Sequence, residues 1–327
     1  METGRHAVAE REDRRAMSPA LPLFGHEAAE AAFLSAHRSG RLHHAWLIEG
    51  PSGVGKARVA ERIAAYLLGA RGPAAAPFDA PADDPVMRAI LAGNHPDMNV
   101  QRRELNDKGK LTQDITVEQI RQVGHFFSMK PAMGGWRVGI VDAIDEANRN
   151  SANALLKTLE EPPAQSILLL VNHRSRPILP TIRSRCRVLQ LSVLSAEDCE
   201  RALEAAGAPR EASALARGRP GLGMRLSSGA AMSASSAARA LIKAMPRPPD
   251  KLVSAALSAA SAGPEAELAF RDEVLDWVAA RAETEPKAAK AWLGLARLSG
   301  DAETLNMDAA QVASKIIAAM YDAAPAK

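Results

Sequence analysis

Residues 50–57 read Gly-Pro-Ser-Gly-Val-Gly-Lys-Ala, between a short apolar run and a stretch of helical spacing. The first glycine and the Gly55-Lys56 pair satisfy the G-x-x-x-x-G-K half of a phosphate-binding loop, which has meaning only between a strand and a helix. Both flanks comply. His44–Ile48 is apolar enough for a buried strand, and Val59, Ile63, Tyr66 and Leu67 recur at helical spacing after the loop. In such a loop, backbone N–H groups close around phosphates and the lysine reaches the outer ones. Gly50, Pro51, Ser52, Gly53, Val54, Gly55, Lys56 and Ala57 are therefore candidate nucleotide-binding residues. The last position normally carries a hydroxyl that holds Mg²⁺, and Ala57 has none.

The loop commits its surroundings to an α/β fold. Strand-like stretches at 45–49, 97–102, 137–142, 167–171 and 187–191 alternate with helical ones between about residues 20 and 192. That alternation predicts a five-stranded parallel sheet covered by helices. Ile167 to Val171 shows no polar alternation, as a strand buried on both faces requires. Residues 70–85, rich in Ala, Pro and Asp, read as a surface loop or insertion, and residues 1–19 as a disordered leader. Beyond 192 strand signals vanish and the chain reads as helices in two groups, 195–244 and 250–323, hinged at Met245-Pro246-Arg247-Pro248-Pro249. Domains are expected at 20–192, 193–245 and 246–327. In the last, Val274, Trp277, Val278 and Ala282, then Trp292, Leu295 and Ala296, form apolar stripes expected in a helical core.

Composition excludes several classes. Forty-one basic against 38 acidic residues leave +3, too little by itself to argue for nucleic acid. Two cysteines, Cys186 and Cys199, supply neither a disulfide framework nor a four-cysteine zinc site. No apolar run has membrane-spanning length and no signal core opens the chain, so a soluble cytoplasmic protein is expected.

A hydrolytic centre also needs an acid at the end of a neighbouring strand, usually followed by a Glu that polarises water. Asp142 ends the 137–142 run and suits the first role, but Ala143 follows it. Asp145-Glu146 lies three residues further on, past the strand. Ala57 and Ala143 thus remove the same function twice. Next, Asn153-Ala154-Leu155-Leu156-Lys157-Thr158-Leu159-Glu160-Glu161-Pro162-Pro163 predicts a helix over about 151–161, stopped by the double proline. From His173 to Arg187, five arginines and no acid occur in fifteen residues, which reads as either a solvated basic face or a phosphate- or DNA-facing patch.

N-A-L-L-K-T-L-E-E-P-P followed by L-P-T-I-R-S-R-C resembles the clamp-loader branch of the AAA+ ATPases. Leu42 to Pro51, His95-Pro96-Asp97-Met98 and Ile115 to Val123 support the resemblance, which is close over residues 21–192. It implies an AAA+ P-loop domain, a small helical lid domain and an all-α collar domain that assembles a pentameric ring. It implies for Ser184-Arg185-Cys186 that Arg185 is an arginine finger, reaching ATP held by the adjacent subunit. A structural salt bridge is the plainer alternative for Arg185. The member implied does not hydrolyse ATP. It would work within a DNA-directed DNA polymerase holoenzyme, beside tau/gamma motor subunits and a delta subunit, to load a sliding clamp on primed DNA in replication. ATP or ADP could still sit in its loop without turnover, and no cofactor is required. Zinc cysteines that many relatives carry after the P-loop helix are missing from residues 69–97, so no metal is expected. His43, His44 and His95 then read as structural, and Cys186 as a packing residue. Two other readings stay open: an ATP-hydrolysing motor subunit, and a stand-alone DNA-binding protein. The motor reading needs substitutes at Ala57 and Ala143. The DNA-binding reading lacks aromatic stacking platforms beside the basic segment.

Overall fold

In the computed structural model, which describes residues 22–104, 112, 114–173, 178–227, 229–282, 284–304 and 307–324, all five expected strands form. They are β1 (Ala45–Glu49), β2 (Met98–Gln101), β3 (Arg137–Asp142), β4 (Ser166–Asn172) and β5 (Arg187–Gln190). They make one sheet in the order β2-β3-β4-β1-β5, every neighbouring pair parallel. The register sets Glu49 at the end of β1 beside Asn172 of β4 and Gln190 of β5. Every residue of β1 and β4 is buried, which is why their sequences carry no alternation. β5, at an edge, buries only Leu189.

The helices of this part are α1 (Glu27–Arg38), α2 (Lys56–Leu67), α3 (Pro85–Leu91), α4 (Val117–Ser128), α5 (Arg149–Glu160), α6 (Pro180–Arg183) and α7 (Ala196–Ala205). Their starts are chemically specified. Thr116 and Gln119 form a reciprocal capping box at α4, Asn148 Oδ1 accepts from Ser151 N at α5, and Asp84 caps α3 ahead of Pro85. α4 and α5 close one face over Ile120, Val123, Phe127, Leu155, Leu159 and Leu170. Gly139 of β3 lets α4 approach, since a Cβ there would stand 2.8 Å from the Phe127 ring. The 70–85 stretch is not merely a surface insertion. Phe78 is 2% exposed with its ring 5.0 Å from Tyr66, and Ala70 and Ala80 are buried with Met87. The apolar side chains scattered among its turn residues are enough to anchor it.

The chain divides into two compact units: residues up to Gly207 with Arg217–Leu222, and Ala208–Ala216 with Gly223 onward. The second is helical: α8 (Glu211–Ala216), α9 (Pro220–Leu226, which begins in the first unit), α10 (Gly229–Ala244), α11 (Asp250–Ala260), α12 (Pro264–Ala282), α13 (Pro286–Thr304) and α14 (Ala309–Ala323). α12 packs against α10, α11, α13 and α14, burying Phe270, Val274 and Val278 completely. The expected stripe on α13 is only partly core. Leu295 is buried, but Trp292 is 40% exposed, since α13 turns that position away from its neighbours. Trp277 is half-buried beneath the Arg281 guanidinium. Among the described residues, no helix is long and apolar enough to cross a membrane.

Candidate functional site

The phosphate loop joins β1 to α2 as its sequence demands, with Gly53 and Gly55 at φ 84° and 100°. Glycine is needed at 53 for space as well as backbone angle. A Cβ there would lie 2.7 Å from the backbone nitrogen of Leu222. The loop is closed by groups of its own chain. Gly221 N donates to Gly53 O at 2.9 Å, and the His26 ring Nε2–H donates to Val54 O at 2.8 Å. Burial lowers the His26 pKa, which favours the neutral ring. Lys56, 2% exposed, donates from Nζ to the carbonyls of Gly50 (2.9 Å) and Pro51 (2.8 Å). The lysine expected to face a phosphate is thus bonded to the loop that carries it.

At the end of β3, Asp142 lies 3.5 Å from the His173 ring, and Ala143 behind it is 1% exposed. Asp145 is not a displaced water-activating acid. It is 3% exposed, and its Oδ1 accepts from the His173 backbone N at 3.0 Å, fixing the end of β4. Glu146 meets the Arg103 guanidinium at 2.9 Å, and burial raises its pKa. Ala57 offers no oxygen to a metal, Ala143 no carboxylate to a water, and Lys56 is engaged elsewhere. Mg²⁺-dependent hydrolysis of a nucleotide held in this loop would need a metal-binding hydroxyl and a water-polarising carboxylate that Ala57 and Ala143 do not supply. Among the described residues no three His, Cys, Asp or Glu side chains are grouped as metal ligands.

Arg185 lies just past α6. Its Nη1 donates to Thr181 O at 3.0 Å and its Nη2 pairs with Glu160 at 2.8 Å, at 36% side-chain exposure. The salt bridge named as the plainer alternative for Arg185 is therefore formed. Burial pushes the Cys186 thiol up to about 12, which makes it an inert packing group. Of the basic segment, Arg174 and Arg176 lie outside the described residues. Arg183 pairs with Glu49, and Arg187 stands over the Trp46 ring at 5.0 Å, so both are at least partly used within the fold. The histidines are structural: His44 Nε2–H donates to Leu159 O and His95 Nδ1 accepts from Asp97 N.

Residues 25–195, slightly more than half of the chain, match the model of the family described as DNA polymerase III, delta subunit. The chain belongs to this family. The loop, Asp142 and Ser184-Arg185-Cys186 of this DNA polymerase III family member all lie inside the match. The chain is 41% identical over 143 residues to DNA polymerase III subunit delta' of Pseudomonas aeruginosa, an overlap of 44% of this chain and 41% of that one. It is 35% identical over 150 residues to subunit delta' of Yersinia pestis, covering 46% and 42%. It is 33% identical over 159 residues to subunit gamma of Buchnera aphidicola from Schizaphis graminum, covering 49% and 41%. The chain spans about two fifths of the length of these relatives.

The sequence left several parts of this family member's site unseen. His26 and Gly221 close the loop from 28 and 168 positions away, and neither stands in a motif. Glu61 of α2 is held among Arg102, Arg58 and Asp142, and burial pushes its carboxyl up to about 8. Glu49, 1% exposed, accepts from Asn172 and Arg183. A buried carboxylate at a strand end has no one-dimensional signature beyond a charge in an apolar run.

Proposed function

We propose that this chain is the non-hydrolysing delta-prime subunit of a DNA polymerase III clamp loader. It works in a ring beside tau/gamma motor subunits and a delta subunit, and supplies Arg185 to the ATP held by its neighbour. Residues 193–245 would serve as the lid and 246–327 as the collar through which the ring assembles. One observation carries the reading. The chain's own phosphate loop is closed on itself and lacks the groups for hydrolysis, while Arg185 is half-exposed at the end of a helix pinned to the sheet. A guanidinium has five N–H donors, so its contacts with Thr181 and Glu160 leave others to present. Placed against a γ-phosphoryl group, this fixed cation would offset the charge that develops on its oxygens. The ring so completed would place the sliding clamp on primed DNA during replication.

The test is ATP turnover by the reconstituted ring with clamp and primed DNA. Arg185→Ala should lower kcat at the site this subunit completes by on the order of 10³-fold, with assembly intact on size exclusion. Native turnover in that ring would refute the finger. Sustained hydrolysis by the purified chain alone, lost in Lys56→Ala, would instead establish a motor subunit.

A further inference from the structure

We propose that Glu49 is a positioning residue for Arg185, acting through Arg183 on α6. The inference rests on the finger reading above and extends it to how the finger is aimed. α6 has only four residues and no side-chain cap at its start. So short a helix is not self-supporting, and its orientation is set by what grips it. It is gripped from two sides. Ile182 is fully buried in the core that α5 shares, and on the other side the Arg183 guanidinium closes on Glu49 Oε1.

The Glu49 end of this link is rigid. Glu49 closes β1 immediately before the phosphate loop, and its carbonyl accepts from Leu191 N at 2.7 Å. Its Oε1 also accepts from Asn172 Nδ2 at 3.0 Å. A carboxylate that is 1% exposed needs a cation close by, and Arg183 supplies one. Arg183 itself is 51% exposed, so the pair sits at the rim where α6 meets the sheet. From there the chain runs two residues to Arg185, whose backbone N donates to Ile182 O at 3.1 Å. Anchors on the α5 side alone, Ile182 in the core and Arg185 with Glu160, would let the turn pivot. The ionic anchor to Glu49 fixes the direction in which the finger leaves, and small errors of direction are costly to a group that must meet a phosphoryl oxygen.

The experiment uses the whole ring, assayed for clamp- and DNA-stimulated ATP turnover, with four variants of this subunit: Arg183→Ala, Arg183→Lys, Arg185→Ala and the Arg183→Ala/Arg185→Ala double. Arg183→Ala should lower kcat by on the order of tenfold at the completed site, with KM for ATP within about twofold, since a neighbour holds the nucleotide. Arg183→Lys, which keeps a cation on Glu49, should recover most of the rate. In the Arg185→Ala background, Arg183→Ala should cost nothing more, because its effect passes through the finger. A further loss in that background would mean Arg183 acts by another route, and the inference falls. Native turnover in Arg183→Ala with a deficient Arg185→Ala would also overturn it while leaving the finger in place. If Arg185→Ala itself turns over normally, the finger reading has failed and this inference goes with it. Arg183 is half-exposed, so its truncation should fold. Should the subunit drop out of the ring, Glu49→Gln, which keeps volume and an acceptor, takes its place with the same expected partial loss and the same masking by Arg185→Ala.

Discussion

Glu61 stands one helical turn beyond Ala57 on α2, and its carboxyl, 12% exposed, is pushed up to about 8. Burial is the main cause. Asp142 adds to the rise, while Arg102 and Arg58 oppose it. The folded chain therefore holds this proton more tightly than the unfolded chain, whose ordinary value is 4.5. The stability so contributed is fully present below about 4.5 and is lost as pH climbs towards about 8. Glu61→Gln, which cannot ionise, should flatten that decline and leave the variant more stable than the native chain at pH 8, by about 4 kcal/mol at the upper limit. Urea unfolding of both proteins at pH 5 and pH 8 would show it. A native-to-variant difference that is the same at both values would mean the carboxyl is already ionised in the fold. Glu61 marks where residue-level reading stops. In the sequence it is one charge in Ala57–Arg62, with nothing to set it apart from Arg58 and Arg62, and its burial beside Arg102 is a product of the fold. Lys56 is the converse: its position was legible from the motif, but its turn onto the carbonyls of Gly50 and Pro51 was not. A pattern specifies a residue type, and the hydrogen bonds it makes depend on rotamer and partners.

Elements were easier to foresee than their neighbours. The strands stood out because burial on both faces of a parallel sheet leaves continuous apolar runs, and all five lie within two residues of the expected limits. α5 stops at Glu160, just ahead of the double proline, because proline cannot donate within a helix. In the helical unit, spacing predicted helices but not which faces meet. α12 packs against four other helices, and the expected stripe of Val274, Trp277, Val278 and Ala282 is only part of its apolar surface, since Ala266, Ala269 and Phe270 are buried as well. The misplacement of Trp292 has the same origin: periodicity says that a face is apolar, not that something covers it. The same packing hides an ionic link. Glu273 of α12, 6% exposed, accepts from Ser235 Oγ at 2.6 Å and from Arg239 Nε and Nη2 at 3.0 and 2.8 Å, both partners on α10. Glu273→Ala strands the hydroxyl and the guanidinium together. Since Arg239 is 44% exposed and can rehydrate, the loss should be about 2–3 kcal/mol, at the low end for broken buried pairs. Denaturant titration would measure it, and a change below about 0.5 kcal/mol would show that the two helices are held by their apolar contacts alone.

Across the whole molecule, the balance of +3 places little weight on free charge. The arginines most suggestive of a DNA-facing patch include three with partners inside the fold, Arg183, Arg185 and Arg187. The closed phosphate loop has a thermodynamic consequence for the chain as a component of a cell. A ligand that binds only the native state raises its stability by RT ln(1 + [L]/Kd), so ordinary nucleotide-binding proteins melt at temperatures that follow the nucleotide supply. Here His26 and Gly221 brace the loop's carbonyls, and the Lys56 ammonium is tied to the carbonyls of Gly50 and Pro51 rather than left for a phosphate. Scanning calorimetry in millimolar ATP or ADP should therefore shift the melting temperature by less than about 1 °C, where a site filled a hundredfold over its Kd would add about 2.7 kcal/mol and several degrees. A shift of that larger size would mean the loop opens to a nucleotide. Without it, the persistence of this chain is uncoupled from the energy charge of its surroundings, and it stays as folded when nucleotide is scarce as when it is abundant.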